Sequence, residues 1–315
     1  MIIWLVFLAL IAILLALDLG VFHKSSHEVS TREALRWTAL WVTISLLFSG
    51  VIYWLYSEEM IDNIDRLSPE NAVLKYITGY IIEYSLSLDN IFVIAVIFSY
   101  FKIPRQYQHR VLFWGILGAV LFRGLMIVMG VVLIHQFKWM TLVFGLILLY
   151  SAYRMLVSKE EAKDLRDNTI VKLVKKRFPL TDTIEGQQFF VKKRHITAAT
   201  PLFIALIVIE TTDILFAVDS IPAILAITTD PFLVFSSNIF AILGLRSLYF
   251  VLSSMLDRFH LLKYSLVFIL AFVGVKMLLA YFHIELPEWL SLSIIVVALG
   301  SGVAASLWQS RPRKA

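Results

Sequence analysis

The chain has no cysteine at any of its 315 positions. That excludes disulfides, thiolate metal sites and thiol redox chemistry together. Histidine is kept out of the apolar runs. His23, His27, His109, His135, His195, His260 and His283 all fall in connections or at the ends of hydrophobic segments. No GxGD motif, no Ser–His pair within an apolar run and no HExxH is present, so a membrane enzyme is not expected. The first twenty residues, MIIWLVFLALIAILLALDLG, carry neither a basic n-region nor a small-residue cleavage site. They read as a retained first span rather than a signal peptide.

What is present is apolar. Hydrophobic residues make up 59% of the chain, against about 45–50% in a soluble domain. Long apolar runs recur along its whole length, so the expectation is an all-α polytopic membrane protein, a single transmembrane domain over residues 1–315. Its neighbours are then membrane lipids, and the formal charge of +5 belongs to topology rather than to a nucleic-acid surface.

Nine spans are predicted, at about 2–22, 37–56, 73–100, 111–134, 139–156, 200–226, 232–255, 264–283 and 287–308. Alternate connections hold 22 of the 28 Lys and Arg, eleven of them between Arg154 and Arg194. The other connections lean acidic: SEEMIDNIDRLSPE, TTDP and HIELPE. The positive-inside rule then puts the N-terminus outside and the C-terminus inside. The long cytoplasmic connection, 157–199, reads as a basic amphipathic segment at the anionic inner leaflet. Its TDTIEGQQFFVKKRHITAAT stretch has the composition of a short hairpin.

An internal repeat is visible. Span three contains IIEYSLSLDNIF and span six TTDILFAVDSIP, which aligns Glu83 with Asp213, Asp89 with Asp219, and Asn90 with Ser220. Spans four and seven each place an arginine, Arg123 or Arg246, after an I-L-G, though at spacings that differ by three residues. Two three-helix units follow, 73–156 and 200–283. An odd number of helices per unit inverts the second unit, an architecture of secondary transporters.

Five acids, Glu83, Asp89, Glu210, Asp213 and Asp219, lie within spans three and six. One carboxylate at the bilayer centre costs about 2.5–3.5 kcal/mol, so the set would cost on the order of 10 kcal/mol if nothing compensated. Arg123 and Arg246 read as structural counter-ions; pairing with them leaves three acids unmatched. Lys276, near the outer end of span eight, is expected to snorkel. The remaining charge suits a cation site, with protons as alternative occupants. Asn90 and Ser220 are supporting oxygen donors or helix-packing hydrogen bonders. Asp18 either joins the site or pairs with a base at the interface. Pro222 is expected to kink span six and to free the Val218 carbonyl beside Asp219. A six-residue spacing turns about 240° around a helix, so the paired acids do not share a face unless the helix breaks. An oxygen-only ligand set suits Mg²⁺, Ca²⁺ or Mn²⁺, and composition does not choose among them.

These motifs resemble the TerC family of membrane proteins, and within it the Alx-like bacterial branch. The resemblance is carried by GYIIEYSLSLDNIFV at 79–93, TDTIEGQQFFV at 181–191, ATPLFIALIVIETTDILFAVDSIPAI at 199–224 and TTDPFLVFSSNIFAILGLRSLYF at 228–250. The family is similar to the LysE-type transporter group, built from two three-helix repeats. The resemblance implies manganese export across the bacterial inner membrane, in manganese and alkaline-pH homeostasis, with Glu83, Asp89, Glu210, Asp213 and Asp219 as ion ligands and no permanently bound cofactor. Older naming ties the family to tellurium resistance and the branch to redox modulation. The competing reading is a membrane stress-response scaffold whose intramembrane acids are structural ion pairs.

Overall fold

The structure is a computed structural model that describes residues 2–20, 30–63, 65–157, 179, 181, 184, 186–193, 196–253, 261–284 and 286–309. Five helices come first: α1 (Ile2–Gly20), α2 (Thr31–Ser57), α3 (Pro69–Tyr100), α4 (Arg105–Gln136) and α5 (Met140–Val157). A hairpin of β1 (Phe190–Lys193) and β2 (Ile196–Ala199) follows. Then come α6 (Pro201–Leu225), α7 (Pro231–Leu252), α8 (Leu262–Tyr281) and α9 (Glu288–Gln309). Among the described residues each predicted span has its helix, and eight are long and apolar enough to cross a membrane. The largest disagreement is at the starts of α2 and α4. There polar turns, TREALR and RQYQHR, continue the helix beyond the apolar run that hydropathy detects.

Local chemistry sets the helix ends. Ser30 caps α2 by accepting from Glu33 N at 3.3 Å, and Ser68 caps α3 by accepting from Asn71 N at 3.3 Å. Pro69, Pro201 and Pro231 stand at the first turns of α3, α6 and α7, where a missing N–H costs nothing. Asp230 accepts from Phe232 N at 2.9 Å and Leu233 N at 3.2 Å. Pro222 does not divide α6: the helix continues through it to Leu225.

The helices pair in a definite pattern. α5 lies along α8, α3 against α7, and α4 against α6. α2 covers α3 and α7, while α9 covers α8 and α3. α1 packs Trp4 and Phe7 onto Phe232 of α7, both ring pairs at 5.3 Å. α7 is therefore enclosed, buried along nearly its whole length. The α5–α8 crossing brings backbone to backbone. A Cβ on Gly145 would lie 3.2 Å from the Gly274 carbonyl, and one on Gly274 would lie 3.1 Å from the Gly145 carbonyl. Small residues that let helices approach this closely are a device of membrane bundles.

The expected hairpin is present, antiparallel, with Phe190 opposite Ala199. Thr200 ties it to α6 by donating from Oγ1 to the carbonyls of Gln188 (2.8 Å) and Phe189 (3.1 Å). Arg110 of α4 lies over the Phe189 ring at 5.1 Å. The basic stretch predicted to lie on the inner leaflet falls at 158–178, outside the described residues.

Lys276, near the end of α8, has an ion-pair partner. Its side chain is 8% exposed and its Nζ stands 3.0 Å from Glu288 Oε2, with Lys75 Nζ 3.8 Å from the other oxygen. Glu288 opens α9, only twelve residues further on.

Candidate functional site

The centre of the bundle holds a charged cluster from three helices. Arg123 of α4 grips Asp213 of α6, with Nε donating to Oδ2 at 3.0 Å and Nη2 to Oδ1 at 2.7 Å. The third guanidinium nitrogen, Nη1, forms an ion pair with Glu83 of α3. Asn90 of α3 adds a hydrogen bond from Nδ2 to Asp213 Oδ1 at 3.3 Å. The side chains of Glu83 and Arg123 are 0% and 1% exposed, and that of Asp213 is 12% exposed. A planar guanidinium suits this task because its fork meets a carboxylate at two points and leaves donors for a second. Two acids thus share one base.

A cavity of about 30 Å³ opens beside Asp213. Asn90, Thr212, Asp213 and Arg246 supply its polar wall, and Ile94, Leu112 and Leu245 are among its apolar lining. Room for one water needs about 10–15 Å³, so the space suits a small hydrated group rather than an organic molecule.

The other predicted residues lie elsewhere. Asp219 accepts from Ser151 Oγ of α5 at 2.6 Å. The turn of about 240° between Asp213 and Asp219 is thus realised: one faces α4 and the other α5. Glu210 lies against the α4 backbone; a Cβ on Gly118 would fall 2.1 Å from its Oε1. Its Oε2 is buried without a hydrogen-bond partner. Asp89 is half-buried on α3, and Ser220 is 2% exposed with no partner for its Oγ. Arg246 is buried on the cavity wall. Asp18 occupies the last turn of α1, and its side chain lies outside the described residues. The five acids therefore do not close into one cage, and among the described residues no three His, Asp or Glu side chains are grouped as metal ligands. Helical twist disperses them, and Arg123 holds the two most central.

Two residues escaped the sequence reading. Ser151 sits in LLYSAYRML, and its partner lies 68 residues away, a pairing that spacing does not reveal. Asn238 of α7 is fully buried, and neither its Oδ1 nor its Nδ2 has a hydrogen-bond partner. An amide in the middle of an apolar span was the available signal.

Long apolar helices around a buried charged cluster define a polytopic helical membrane protein. Residues 68–314 match the integral membrane protein TerC family, and the chain belongs to that family. It is 45% identical over 308 residues to "Uncharacterized membrane protein STKORF319" of Myxococcus xanthus, covering 98% of this chain and 92% of the relative. It is 41% identical over 306 residues to "Putative membrane-bound redox modulator Alx" of Escherichia coli K12, covering 97% and 94%. The protein of that name from Salmonella typhi is 42% identical over 311 residues, covering 98% and 95%. No solved structure matches.

Proposed function

We propose that this protein is a secondary transporter of a divalent cation in the bacterial inner membrane, with Mn²⁺ exported from the cytoplasm as its cargo. The observation that carries the reading is the convergence of Glu83 and Asp213 on one buried arginine. These acids hold equivalent positions in the two units read from the sequence. The helix pairing supports that reading. Exchanging α3 with α6, α4 with α7 and α5 with α8 turns the α3–α7 contact into the α6–α4 contact and returns α5–α8 to itself. The distribution of Lys and Arg supports an outside N-terminus and an inside C-terminus.

Arg123 is a tethered cation in the place a mobile one would take. An arriving divalent ion competes with it for Asp213 and Glu83, and protons compete for the same oxygens, which makes exchange of metal for protons natural. The donors near the cluster are carboxylate, amide and hydroxyl oxygens, a set that favours hard ions. The choice of Mn²⁺ among them rests on the family resemblance. No resident cofactor and no enzymatic activity form part of this reading.

The second reading is a stress-response membrane scaffold, in keeping with the redox-modulator name of relatives. The two-point Arg123–Asp213 pair favours it, since such a pair also serves structure. Thiol exchange is not available to a chain without cysteine. Elemental analysis of manganese-loaded cells lacking their own exporters separates the two. Lower cellular manganese with the wild type, but not with Asp213→Asn, Asp89→Asn or Asp219→Asn at matched membrane expression, supports export. Equal manganese in all four sinks it and leaves the scaffold.

A further inference from the structure

The residues that line the central cavity include Asn90 of α3, Asp213 of α6 and Leu245 of α7. Seven residues along each helix, nearly two full turns, return to the same face. Those positions are Glu83 on α3, Ser220 on α6 and Asn238 on α7. They lie at the same end of the bundle. Gly79 of α3 fixes the level: a Cβ there would stand 3.0 Å from Ser237 Oγ of α7 and 3.8 Å from Ile224 Cγ2 of α6. Glu83 is one turn from Gly79, Ser220 is one turn from Ile224, and Asn238 follows Ser237. With Asn90 beside Asp213 and Gly79 beside Ile224, the antiparallel register of α3 and α6 sets Glu83 opposite Ser220.

The backbone positions of this second layer lie about 10 Å along the helices from those at the cavity, and the layer has a common character. Ser220 Oγ and both amide atoms of Asn238 are buried and without hydrogen-bond partners, and so is Glu83 Oε2. Unpaired polar groups are costly in an apolar interior, and more so inside a bilayer where no solvent stands ready. A carboxylate, a hydroxyl and an amide oxygen are the ligand types of a hard divalent cation. Arg123 joins the layers, holding Asp213 in one and Glu83 in the other.

We propose that Glu83, Ser220 and Asn238 form a second cation stage, in which Asn238 Oδ1 and Ser220 Oγ are direct ligands of the divalent ion. The inference rests on the transport reading above. The cargo passes between this stage and the cavity as Arg123 gives up first one carboxylate and then the other. Asn238 is an uncharged ligand, so it admits an ion already partly compensated by Glu83 without holding it too tightly to leave.

The test uses the full chain purified in detergent, with its thermal midpoint followed against added MnCl₂. The wild type is expected to be stabilised by Mn²⁺. Asn238→Leu is expected to raise the half-saturating concentration at least tenfold without lowering the midpoint in the absence of metal, because it removes an unpaired amide. Ser220→Ala is expected to raise that concentration several-fold. Ser236→Ala alters a buried α7 serine bonded to Leu233 O at 3.4 Å, and it is expected to leave the metal response unchanged. Asn238→Ala and Ser220→Ala carry the comparison if Asn238→Leu does not fold. Half-saturation within twofold of wild type in Asn238 and Ser220 variants overturns the second stage and leaves the transport reading standing. A wild type that none of Mn²⁺, Mg²⁺ and Ca²⁺ stabilises overturns both.

Discussion

Arg123 holds two acids from opposite halves of the chain, Asp213 through two hydrogen bonds and Glu83 through its remaining nitrogen. Glu83 and Asp213 are 130 residues apart in sequence, so this one side chain fastens α3, α4 and α6 together. The cluster is therefore both a structural rivet and the most charged point of the interior. Its two roles predict different behaviour for different substitutions.

Arg123→Gln leaves both acids buried without a cation. Removing one partner of a buried ion pair costs about 3–5 kcal/mol. A large drop in thermal midpoint is expected, partly recovered in the double variant Arg123→Gln/Asp213→Asn because one uncompensated charge has gone. Strictly additive midpoint changes across this double-mutant cycle would show that Arg123 and Asp213 are not coupled.

Ser151→Ala removes the donor to Asp219 Oδ1. Leaving a buried acceptor unpaired costs about 1–3 kcal/mol, and the half-buried Asp219 loses at most that. The expected signature is a lower midpoint in Ser151→Ala that vanishes in the Asp219→Leu background, where there is no carboxylate left to satisfy. An equal loss in both backgrounds would assign the effect to packing of α5.

Among the described residues, hydropathy made nine helices legible because each holds an apolar run near the length of a bilayer crossing. Helix starts were legible at Pro201 and Pro231, within one residue of the predicted 200 and 232. They were not legible at Thr31 and Arg105, where polar turns extend the helix. The acids were legible as a set because a charge in a span stands out. Their partners were not: Ser151 and Gly118 are unremarkable residues whose roles depend on which face of another helix reaches them. The partner of Lys276 was hidden for the same reason, since Glu288 stands at the start of the next helix.

Asp230 lies just outside α7, 1% exposed, and caps it. Burial pushes its carboxyl above the ordinary 3.8, with Asp65 adding to the rise and Tyr56 and the capping amides opposing it. Ionising it therefore costs more in the fold than in the unfolded chain, and its contribution to stability falls as pH rises above that ordinary value. Asp230→Asn keeps an acceptor for the cap and removes the charge. Its midpoint relative to wild type should improve as pH rises above 3.8, until the carboxyl ionises in the fold. A pH-independent difference would mean that burial does not raise the Asp230 carboxyl.

Gly118 and Gly274 offer a contrast between a flexible and a rigid neighbour. A Cβ on Gly274 meets the Gly145 carbonyl at 3.1 Å and Leu148 Cβ at 3.2 Å, so α5 and α8 must separate. Overpacking of that kind costs about 1–3 kcal/mol, and Gly274→Ala is expected to lower the midpoint accordingly. A Cβ on Gly118 instead meets the carboxylate of Glu210, the far end of a side chain that can swing away. Gly118→Ala is therefore expected to fold with nearly the wild-type midpoint while expelling the Glu210 carboxylate from its seat against α4. If that carboxylate serves cation transport, Gly118→Ala cells should accumulate manganese to the level of Glu210→Gln cells. Wild-type manganese in Gly118→Ala, together with wild-type manganese in Glu210→Gln, would remove Glu210 from the pathway and leave it as a buried structural acid.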